Sequence, residues 1–272
     1  MEKKSFRMVL ILMAFLLILL GLSMYVVKQG QSRKVSTYVK TDHKMAIVID
    51  DFGNNMKGTD EILKLNIPIT VAVMPFLSTT EQDATRAHDA GKEVIIHMPM
   101  EPMKGKASWL GPGALRSSMS DKEIVKALEE AIANVPYAIG MNNHMGSKVT
   151  KDERIMRIVL ETCKKHKLYY LDSKTSYKSV IPKLAQEIGV PYFENRLFLD
   201  DEYTTAHVQK QIGLALTLME SEPLSVIIGH VGVTGIITSS ALEKAIPALL
   251  ERGDIVPLSD LIEASIIDQK IF

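Results

Sequence analysis

Cysteine is almost absent from this 272-residue chain, which contains only Cys163. A single cysteine cannot form an intrachain disulfide, and its position in a helical pattern indicates a packing residue rather than a nucleophile or a thiolate metal ligand. The chain also lacks an excess of charge, with 32 basic and 32 acidic residues. A balanced charge creates no overall field for nucleic acid, and the sequence has neither a glycine-rich phosphate loop nor zinc-finger spacing. We therefore expect no nucleic-acid partner.

Charge is missing altogether from residues 8–27, a run of 20 residues that follows a basic N-terminus. This length suffices for a transmembrane helix, and the basic flank places the rest of the chain outside the cytoplasm. We predict a signal anchor over residues 1–28, a polar tether over 29–43 and an extracytoplasmic domain over 44–272 of a single-pass membrane protein. Secretion after signal cleavage is the alternative, but the run exceeds a usual signal-peptide core and no Ala-x-Ala site follows it.

The chain contains many short apolar runs that end in polar residues. Such runs, separated by segments with helical spacing, predict buried parallel strands joined by crossover helices. One helix start is marked by Ser120 and Glu123, which form a capping-box pattern. Seven of the eight predicted strands end in Asp, His, Asn or Pro. The predicted strands are residues 45–49, 69–74, 93–96, 138–141, 168–171, 192–193, 224–228 and 254–256.

This alternation predicts a single α/β domain, a distorted (β/α) barrel of seven or eight strands. About 225 residues follow the N-terminal segment, which is the usual size of such a barrel. An open doubly wound sheet alternates in the same way, but it concentrates polar residues at a switch point, whereas here they follow nearly every strand. A long, turn-rich insertion between His97 and His144 falls at the same edge, where long loops are commonly functional.

The polar residues at the strand ends are the candidates for chemistry, because the carboxyl ends of barrel strands meet at one rim. Asp50 and Asp51 end the first strand, and two carboxylates so close resist joint ionisation unless a cation compensates. His97 and His144 end two other strands, where a lone histidine is more often structural. Together with Asp51 they form a two-histidine, one-carboxylate set that suits a divalent transition metal. His230 is a further rim histidine that could donate a proton.

Five motifs in the chain resemble those of the divergent polysaccharide deacetylase family. That family is related to the metal-dependent carbohydrate esterases that remove acetyl groups from amino sugars. The motifs are Asp50-Asp51-Phe52-Gly53, His97-Met98-Pro99-Met100-Glu101-Pro102, Asn142-Asn143-His144-Met145-Gly146-Ser147, Leu171-Asp172-Ser173 and Gly229-His230. The resemblance extends over about residues 45–261, in motif order and spacing. It implies a distorted β/α barrel with a zinc-type metal centre.

The resemblance also implies roles for individual residues. It assigns the general base to Asp50, a metal-ligand role to the acid beside it, the first histidine ligand to His97 and the general acid to His230. In the better-characterised deacetylases a second histidine ligand follows the first after three residues, and this position is Glu101 here. We assign the missing ligand to His144, with Glu101 as the alternative. Zinc is the first candidate metal, although this ligand set also accepts cobalt, nickel or iron.

Three other residues are candidates for binding or supporting the substrate. Asp172 could orient His230 or bind substrate, and its alternative role is a helix N-cap. Trp109, the only tryptophan, could stack on a sugar ring or anchor its loop to the core. Arg196 lies near the acids at 200–201 and could position substrate, with a surface ion pair as the alternative.

These residues predict a metal-dependent hydrolase that removes acetyl groups from an N-acetylated glycan outside the cytoplasmic membrane. The partner would be an acetylated polysaccharide or a peptidoglycan-like glycan. One alternative is an inactive barrel that binds glycan or organises the envelope, because the parent pattern's second histidine is missing. Another is a metal-free glycoside hydrolase with Asp50 and Asp172 as its carboxylate pair. The identity of the glycan and the oligomeric state do not follow from the sequence.

Overall fold

Strands and helices alternate through most of residues 41–270, the part of the chain that the computed structural model describes. The predicted anchor over residues 1–28 lies outside this part, as does most of the tether over 29–43. Within residues 41–270, no helix combines the length and the apolar character needed to cross a membrane.

The elements alternate in the order expected of repeated βαβ units. The strands are β1 (Lys44–Phe52), β2 (Thr70–Val73), β3 (Glu93–Met100), β4 (Ala138–Met145), β5 (Tyr169–Asp172), β6 (Tyr192–Glu194), β7 (Leu197–Phe198), β8 (Leu224–His230) and β9 (Asp254–Ile255). The helices are α1 (Thr59–Lys64), α2 (Thr80–Asp89), α3 (Asp121–Asn134), α4 (Glu153–Lys165), α5 (Ile181–Ile188), α6 (Thr205–Ser221), α7 (Gly235–Leu250) and α8 (Leu258–Lys270). Short 3-10 turns lie at Ala107–Trp109 and Val149–Lys151.

The strands form one curled parallel sheet in the order β6-β5-β4-β3-β2-β1-β8-β7. Its outer strands, β6 and β7, are consecutive in the chain and are separated only by Asn195 and Arg196. β6 pairs with β5 and β7 pairs with β8, but among the described residues β6 and β7 do not pair with each other. The predicted parallel α/β architecture is confirmed. The sheet curls as expected of a barrel, but it does not close, because the hydrogen-bonded ladder between strands is interrupted between β6 and β7.

The strand predicted at residues 254–256 is present, but it is not the eighth strand of the rim. β9 has two residues and pairs with Lys44 and Met45, at the start of β1. It therefore lies toward the amino ends of the strands, away from the rim formed by their carboxyl ends. The strand beside β8 is β7, which the sequence analysis does not predict.

Alternation along the strands divides their side chains between two cores. In β1 the residues at 45, 47 and 49 pack in the core beneath the helices, whereas Ala46 and Val48 pack in the interior of the curled sheet. Helix α8 fills this interior with Leu258, Leu261 and Ile262. The interior is therefore an apolar core, and the polar residues that continue its strands occupy the rim.

Helix α8 is attached to the end of the sheet opposite the rim. At its first turn, the Leu258 N–H donates to Thr70 Oγ1 at 3.1 Å, and the Ser259 N–H donates to the Glu93 carboxylate at 3.3 Å. The Tyr169 hydroxyl also donates to Glu93, at 2.6 Å. A carboxylate at a helix N-terminus satisfies otherwise unpaired N–H groups and interacts favourably with the helix dipole. These bonds hold α8 against the amino ends of the strands.

Two local predictions are confirmed. Ser120 and Glu123 form a capping box, in which the Ser120 side chain accepts from the Glu123 N–H and the Glu123 side chain accepts from the Ser120 N–H. Cys163 is fully buried in α4, and burial raises the pKa of its thiol to about 12. Such a thiol stays protonated at neutral pH, so Cys163 is a packing residue.

Candidate active site and metal centre

A bulge in β1 brings two adjacent acids to the same cavity. The pairing of β1 with β2 shifts between Ile49 and Phe52, and Asp51 has a φ of 71°, in the left-handed region. In a regular strand Asp50 and Asp51 would point to opposite faces of the sheet, and a bulge removes this alternation. Both acids line one cavity of about 340 Å³ at the rim. The strand therefore presents two carboxylates where regular geometry would present one.

Three potential ligand atoms converge in this cavity. Asp51 Oδ1 lies 3.3 Å from His97 Nε2 and 3.0 Å from His144 Nδ1. The two nitrogens are 3.1 Å apart. A tetrahedral zinc ion with bonds of about 2.0–2.1 Å separates its ligand atoms by about 3.3 Å, so the triangle has the size of a metal site. Asp51, His97 and His144 form a group that could hold a metal ion.

Hydrogen bonds on the far sides of both imidazoles direct their lone pairs into this triangle. His144 Nε2 lies 3.1 Å from the Trp109 carbonyl oxygen, and His97 Nδ1 lies 2.7 Å from Asn142 Oδ1. Each of these nitrogens donates its hydrogen to the oxygen, so the other nitrogen of each neutral ring is unprotonated. Asp51 Oδ1 is buried and accepts no hydrogen bond. Two lone pairs and a carboxylate oxygen this close repel one another unless a cation lies between them, so the residues fit a divalent metal.

The two adjacent acids differ in their affinity for protons. Burial raises the pKa of Asp50, and the nearby His97 and His230 offset this only in part. Burial also raises the pKa of Asp51, but without a metal, protons on the facing nitrogens of His144 and His97 outweigh burial and hold that pKa well below its usual range. Asp51 therefore suits the role of an anionic ligand, and Asp50 suits that of a proton acceptor.

His230 lies opposite Asp50 in the β1–β8 ladder and is oriented by Asp200. His230 Nδ1 lies 2.7 Å from Asp200 Oδ1, and the His230 backbone N–H donates to Asp200 Oδ2 at 2.9 Å. Burial lowers the pKa of His230, but the hydrogen bond to Asp200 and the rim carboxylates outweigh burial and raise that pKa to about 9. His230 therefore carries a proton at neutral pH.

Asp172, which the sequence analysis considered for orienting His230, does not do so. It lies on the same face of β5 as Tyr170, which packs in the core beneath the helices. Its carboxylate accepts from the Lys174 N–H at 2.8 Å in a turn, so the predicted helix N-cap is also wrong. Asp172 is fully buried and does not line the cavity that Asp50 lines. The carboxylate pair required by the glycoside hydrolase alternative is therefore not formed.

Glu101 and Arg196 are engaged away from the ligand triangle. The Glu101 carboxylate accepts from the Ser117 N–H and from Lys148 Nζ, both at 2.8 Å, and the bond from Lys148 contributes most to lowering its pKa to about 2. Arg196 precedes β7 and donates from Nε to Glu222 at 2.9 Å, at the amino end of β8. The structure therefore does not bring Glu101 into the ligand triangle, and Arg196 does not line the cavity in which it was expected to position substrate. Arg196 forms the surface ion pair instead.

Trp109 lies beside the metal-ligand candidates but not in the core. It belongs to a 3-10 turn of the insertion, and its carbonyl oxygen faces His144. The residue is 56% exposed, so the alternative of a loop anchor in the core is wrong. Stacking on a sugar ring stays a prediction.

Two site residues, Asp200 and Asn142, have contacts that the sequence does not predict. Asp200 follows the apolar Leu197, Phe198 and Leu199, the same pattern of an apolar run before an acid that marks the predicted strands. That run has only three residues. Asn142 bridges Asp50 and His97, a contact between three strands for which the sequence carries no local signal.

Comparison with known sequences identifies the family that the motifs resemble. Residues 47–262 match the family model described as divergent polysaccharide deacetylase. The chain is 38% identical over 187 residues to the uncharacterized protein YibQ of Escherichia coli, a match that covers 69% of this chain and 58% of YibQ. An uncharacterized protein of Haemophilus influenzae is 36% identical over 187 residues, covering 69% of this chain and 66% of that protein. The chain therefore matches less than two thirds of the length of either relative.

Solved structures share the fold at low sequence identity. An uncharacterized protein of Agrobacterium tumefaciens has a TM-score of 0.72 at 19% identity, covering 86% of this chain and 94% of that one. The Xyl-CE4 domain of a multidomain xylanase from the hindgut metagenome of Trinervitermes trinervoides has a TM-score of 0.52 at 15% identity, covering 83% and 92%. These likenesses establish the curled parallel fold. Because the family model extends over most of the chain and includes every strand of the rim, the chain belongs to the divergent polysaccharide deacetylase family.

Proposed function

We propose that the protein is a metal-dependent hydrolase that removes acetyl groups from an N-acetylated glycan. The observation that carries this proposal is the convergence of Asp51, His97 and His144 on one point, with both imidazole lone pairs directed at it. A proton acceptor, Asp50, and a proton donor, His230, line the same cavity. Hydrolysis of an acetamide requires this combination of an electrophile, a base and an acid.

Each residue of the site then has a defined task. Bound at the three ligand atoms, a divalent ion supplies Lewis-acid polarisation of the acetamide carbonyl and lowers the pKa of water. Asp50 accepts a proton from the attacking water, whose oxygen forms the new bond to the carbonyl carbon. His230 donates a proton to the amide nitrogen as the carbon–nitrogen bond breaks, so acetate and a free amino sugar leave. Asp200 keeps the protonated imidazole in position for this step.

Zinc is the metal that we propose for this site. The distances between the three ligand atoms agree with tetrahedral coordination, and two imidazoles with one carboxylate leave a position open for substrate. Cobalt, nickel and iron accept the same ligand set, so metal reconstitution decides among them.

The cavity supports a sugar as substrate because its lining offers both polar and apolar groups. A pyranose ring has an apolar face of C–H groups and a polar edge of hydroxyls, and so fits a cavity that has both. Near β4 and β5 the lining includes the polar Asn143 and Thr175. Near β7 and β8 it includes the apolar Phe198 and Val233 beside the polar Asp200.

We also propose that the domain acts outside the cytoplasmic membrane, anchored by residues 1–28, on a peptidoglycan-like or other acetylated polysaccharide. The support is the uncharged run at residues 8–27 behind a basic N-terminus. An anchored enzyme can reach a polymer that does not enter the cytoplasm. Protease protection of spheroplasts, with N-terminal sequencing of the membrane fraction, tests the location and separates an anchor from a cleaved signal peptide.

The direct test is acetate release from N-acetylated glycans by the purified full-length protein, with zinc content measured in parallel. We expect about one zinc per chain and release that stops after chelation and returns with zinc. His97→Ala and His144→Ala should lose both zinc and activity. Asp50→Asn should keep zinc and lose activity, which separates proton transfer from metal binding.

A glycan-binding protein without turnover is the second candidate. It is favoured by Glu101, which occupies the position of a histidine ligand in the better-characterised deacetylases and is bonded to Ser117 and Lys148 instead. Saturable glycan binding without acetate release by the zinc-loaded protein would support this candidate over the hydrolase.

A further inference from the structure

Asn142 connects the two functions of the site, metal binding and proton transfer. Its Oδ1 lies 2.7 Å from His97 Nδ1, and its Nδ2 donates to Asp50 Oδ1 at 2.9 Å. The three residues are at most 1% exposed and belong to β4, β3 and β1. We propose that Asn142 is a positioning residue that couples the orientation of a metal ligand to that of the proton acceptor, an inference that rests on the proposed function.

The chemistry of the three groups determines the direction of both hydrogen bonds. An ionised carboxylate has no hydrogen to donate, so the side chain of Asn142 must present its NH₂ group to Asp50. Its carbonyl oxygen then faces His97, which must donate from Nδ1. The neutral ring consequently has its lone pair on Nε2, the atom that lies in the ligand triangle. The Asp50 carboxylate thus determines the tautomer of His97 through the side-chain amide of Asn142.

The same amide also holds the carboxylate. Among the hydrogen bonds of residues 41–270, Asn142 is the only donor to the Asp50 side chain. The other close nitrogen, His97 Nδ1, lies 3.7 Å from Asp50 Oδ2, beyond hydrogen-bonding distance. The direction in which Asp50 presents its free oxygen to the cavity therefore depends on Asn142. Misorientation of a proton acceptor reduces turnover without changing the affinity for the metal.

Two substitutions separate these effects. Asn142→Asp keeps an acceptor for His97 but replaces the donor to Asp50 with a second carboxylate oxygen. Asn142→Leu has a similar volume and removes both bonds. We expect Asn142→Leu to weaken zinc binding about 10–100-fold, the usual effect of removing the partner of a ligating histidine. Asn142→Asp should bind zinc close to the wild-type affinity but release acetate at least tenfold more slowly, because Asp50 is no longer held.

Zinc affinity is measured by competition with a chromophoric chelator, using the full-length protein. The visible spectrum of the cobalt-loaded protein provides a readout of ligand geometry that does not depend on activity. It should change in Asn142→Leu and stay close to wild type in Asn142→Asp. The matched control is Asn195→Asp, because Asn195 is also buried and hydrogen-bonded but does not line the cavity. This control should retain both zinc affinity and the cobalt spectrum.

Each result bears on the inference. Wild-type zinc affinity and cobalt spectrum in folded Asn142→Leu would overturn the effect on His97, and full acetate release by Asn142→Asp would overturn the effect on Asp50. If Asn142→Leu fails to fold, Asn142→Ala removes the same two bonds without adding an apolar branch. If wild-type protein binds zinc but releases no acetate, the hydrolase proposal fails. The zinc affinities and cobalt spectra of the variants still decide in that case whether Asn142 orients His97. A wild-type protein that binds no zinc overturns both proposals.

Discussion

Asp200 holds His230 through both oxygens of its carboxylate. Oδ1 lies 2.7 Å from His230 Nδ1, and Oδ2 accepts from the His230 N–H and from the hydroxyls of Thr234 and Thr238, at 2.9, 2.9 and 2.6 Å. A carboxylate with four hydrogen bonds has little freedom to move, so the imidazole is held in one orientation with Nδ1 bound. The transferable proton is therefore on Nε2, and His230 itself lines the cavity.

The first prediction concerns Asp200→Asn. Loss of the carboxylate should lower the pKa of His230 from about 9 and move the alkaline limb of kcat/KM to lower pH. Activity at neutral pH should fall about 100-fold or more, the contribution expected of general acid catalysis. NMR titration of the imidazole in metal-free protein measures the pKa directly. In the control Asp201→Asn, whose carboxylate pairs with His207, the pKa of His230 should stay near the wild-type value.

The second prediction concerns stability and pH. The folded-state pKa of His230 is raised from 6.5 to about 9, so its stabilising contribution is fully present below pH 6.5 and is lost as the pH rises through 9. The shift corresponds to a contribution on the order of 3 kcal/mol to the free energy of unfolding. Urea denaturation of metal-free wild type and His230→Gln at pH 6 and pH 10 tests this. An equal difference between the two proteins at both pH values would contradict it.

The third prediction concerns Glu101→Gln. Because Glu101 binds Ser117 and Lys148 rather than the ligand triangle, this variant should keep its zinc and lose thermal stability. The wild-type pKa of Glu101 is lowered from 4.5 to about 2, so its stabilising contribution is present above pH 4.5 and is lost as the pH falls toward 2. Elemental analysis and thermal melts at pH 7 and pH 3 provide the measurements. Zinc loss comparable to that of His144→Ala would restore Glu101 as a ligand.

The fourth prediction concerns Trp109→Ala. The hydrogen bond between His144 and Trp109 is to the Trp109 backbone carbonyl, which the substitution retains, so zinc affinity should stay at the wild-type value. If the exposed indole stacks on a sugar ring, KM for N-acetylated oligosaccharides should rise about fivefold, in line with about 1 kcal/mol for an aromatic contact, while kcat changes little. Steady-state kinetics with oligosaccharides of increasing length measures both constants. Unchanged KM values would exclude stacking.

Much of the candidate site follows from the positions of residues along strands. Asp50, His97 and His230 continue the interior-facing series of β1, β3 and β8, and these strands were recognisable as apolar runs. Parallel strands bring their carboxyl ends to one edge, so polar residues at those ends are brought near each other. The position of Asp50, His97 and His230 at one rim could therefore be predicted, whereas Asp51 reaches the cavity only through the bulge.

Some assignments failed because they depended on strand order or on face. Asp172 ends a predicted strand, but it lies on the helix-facing side of β5, and β5 is not a neighbour of β8. Asp200 follows β7, which pairs with β8 and places its carboxylate against His230. A two-residue strand leaves almost no periodic signal, and its pairing with β8 cannot be read from the chain.

The sequence by itself determined the alternation of strands and helices, the polar rim and the types of residue available for a metal and for proton transfer, because these depend on local apolar patterns and on chemical identity. Only the tertiary structure decided which of these residues act on one another. The bulge that turns Asp51 into the cavity, the amide of Asn142 between Asp50 and His97, and the pairing of Asp200 with His230 all depend on contacts between strands. Such contacts are set by the register and packing of the whole sheet, where a shift of one residue turns a side chain to the opposite face.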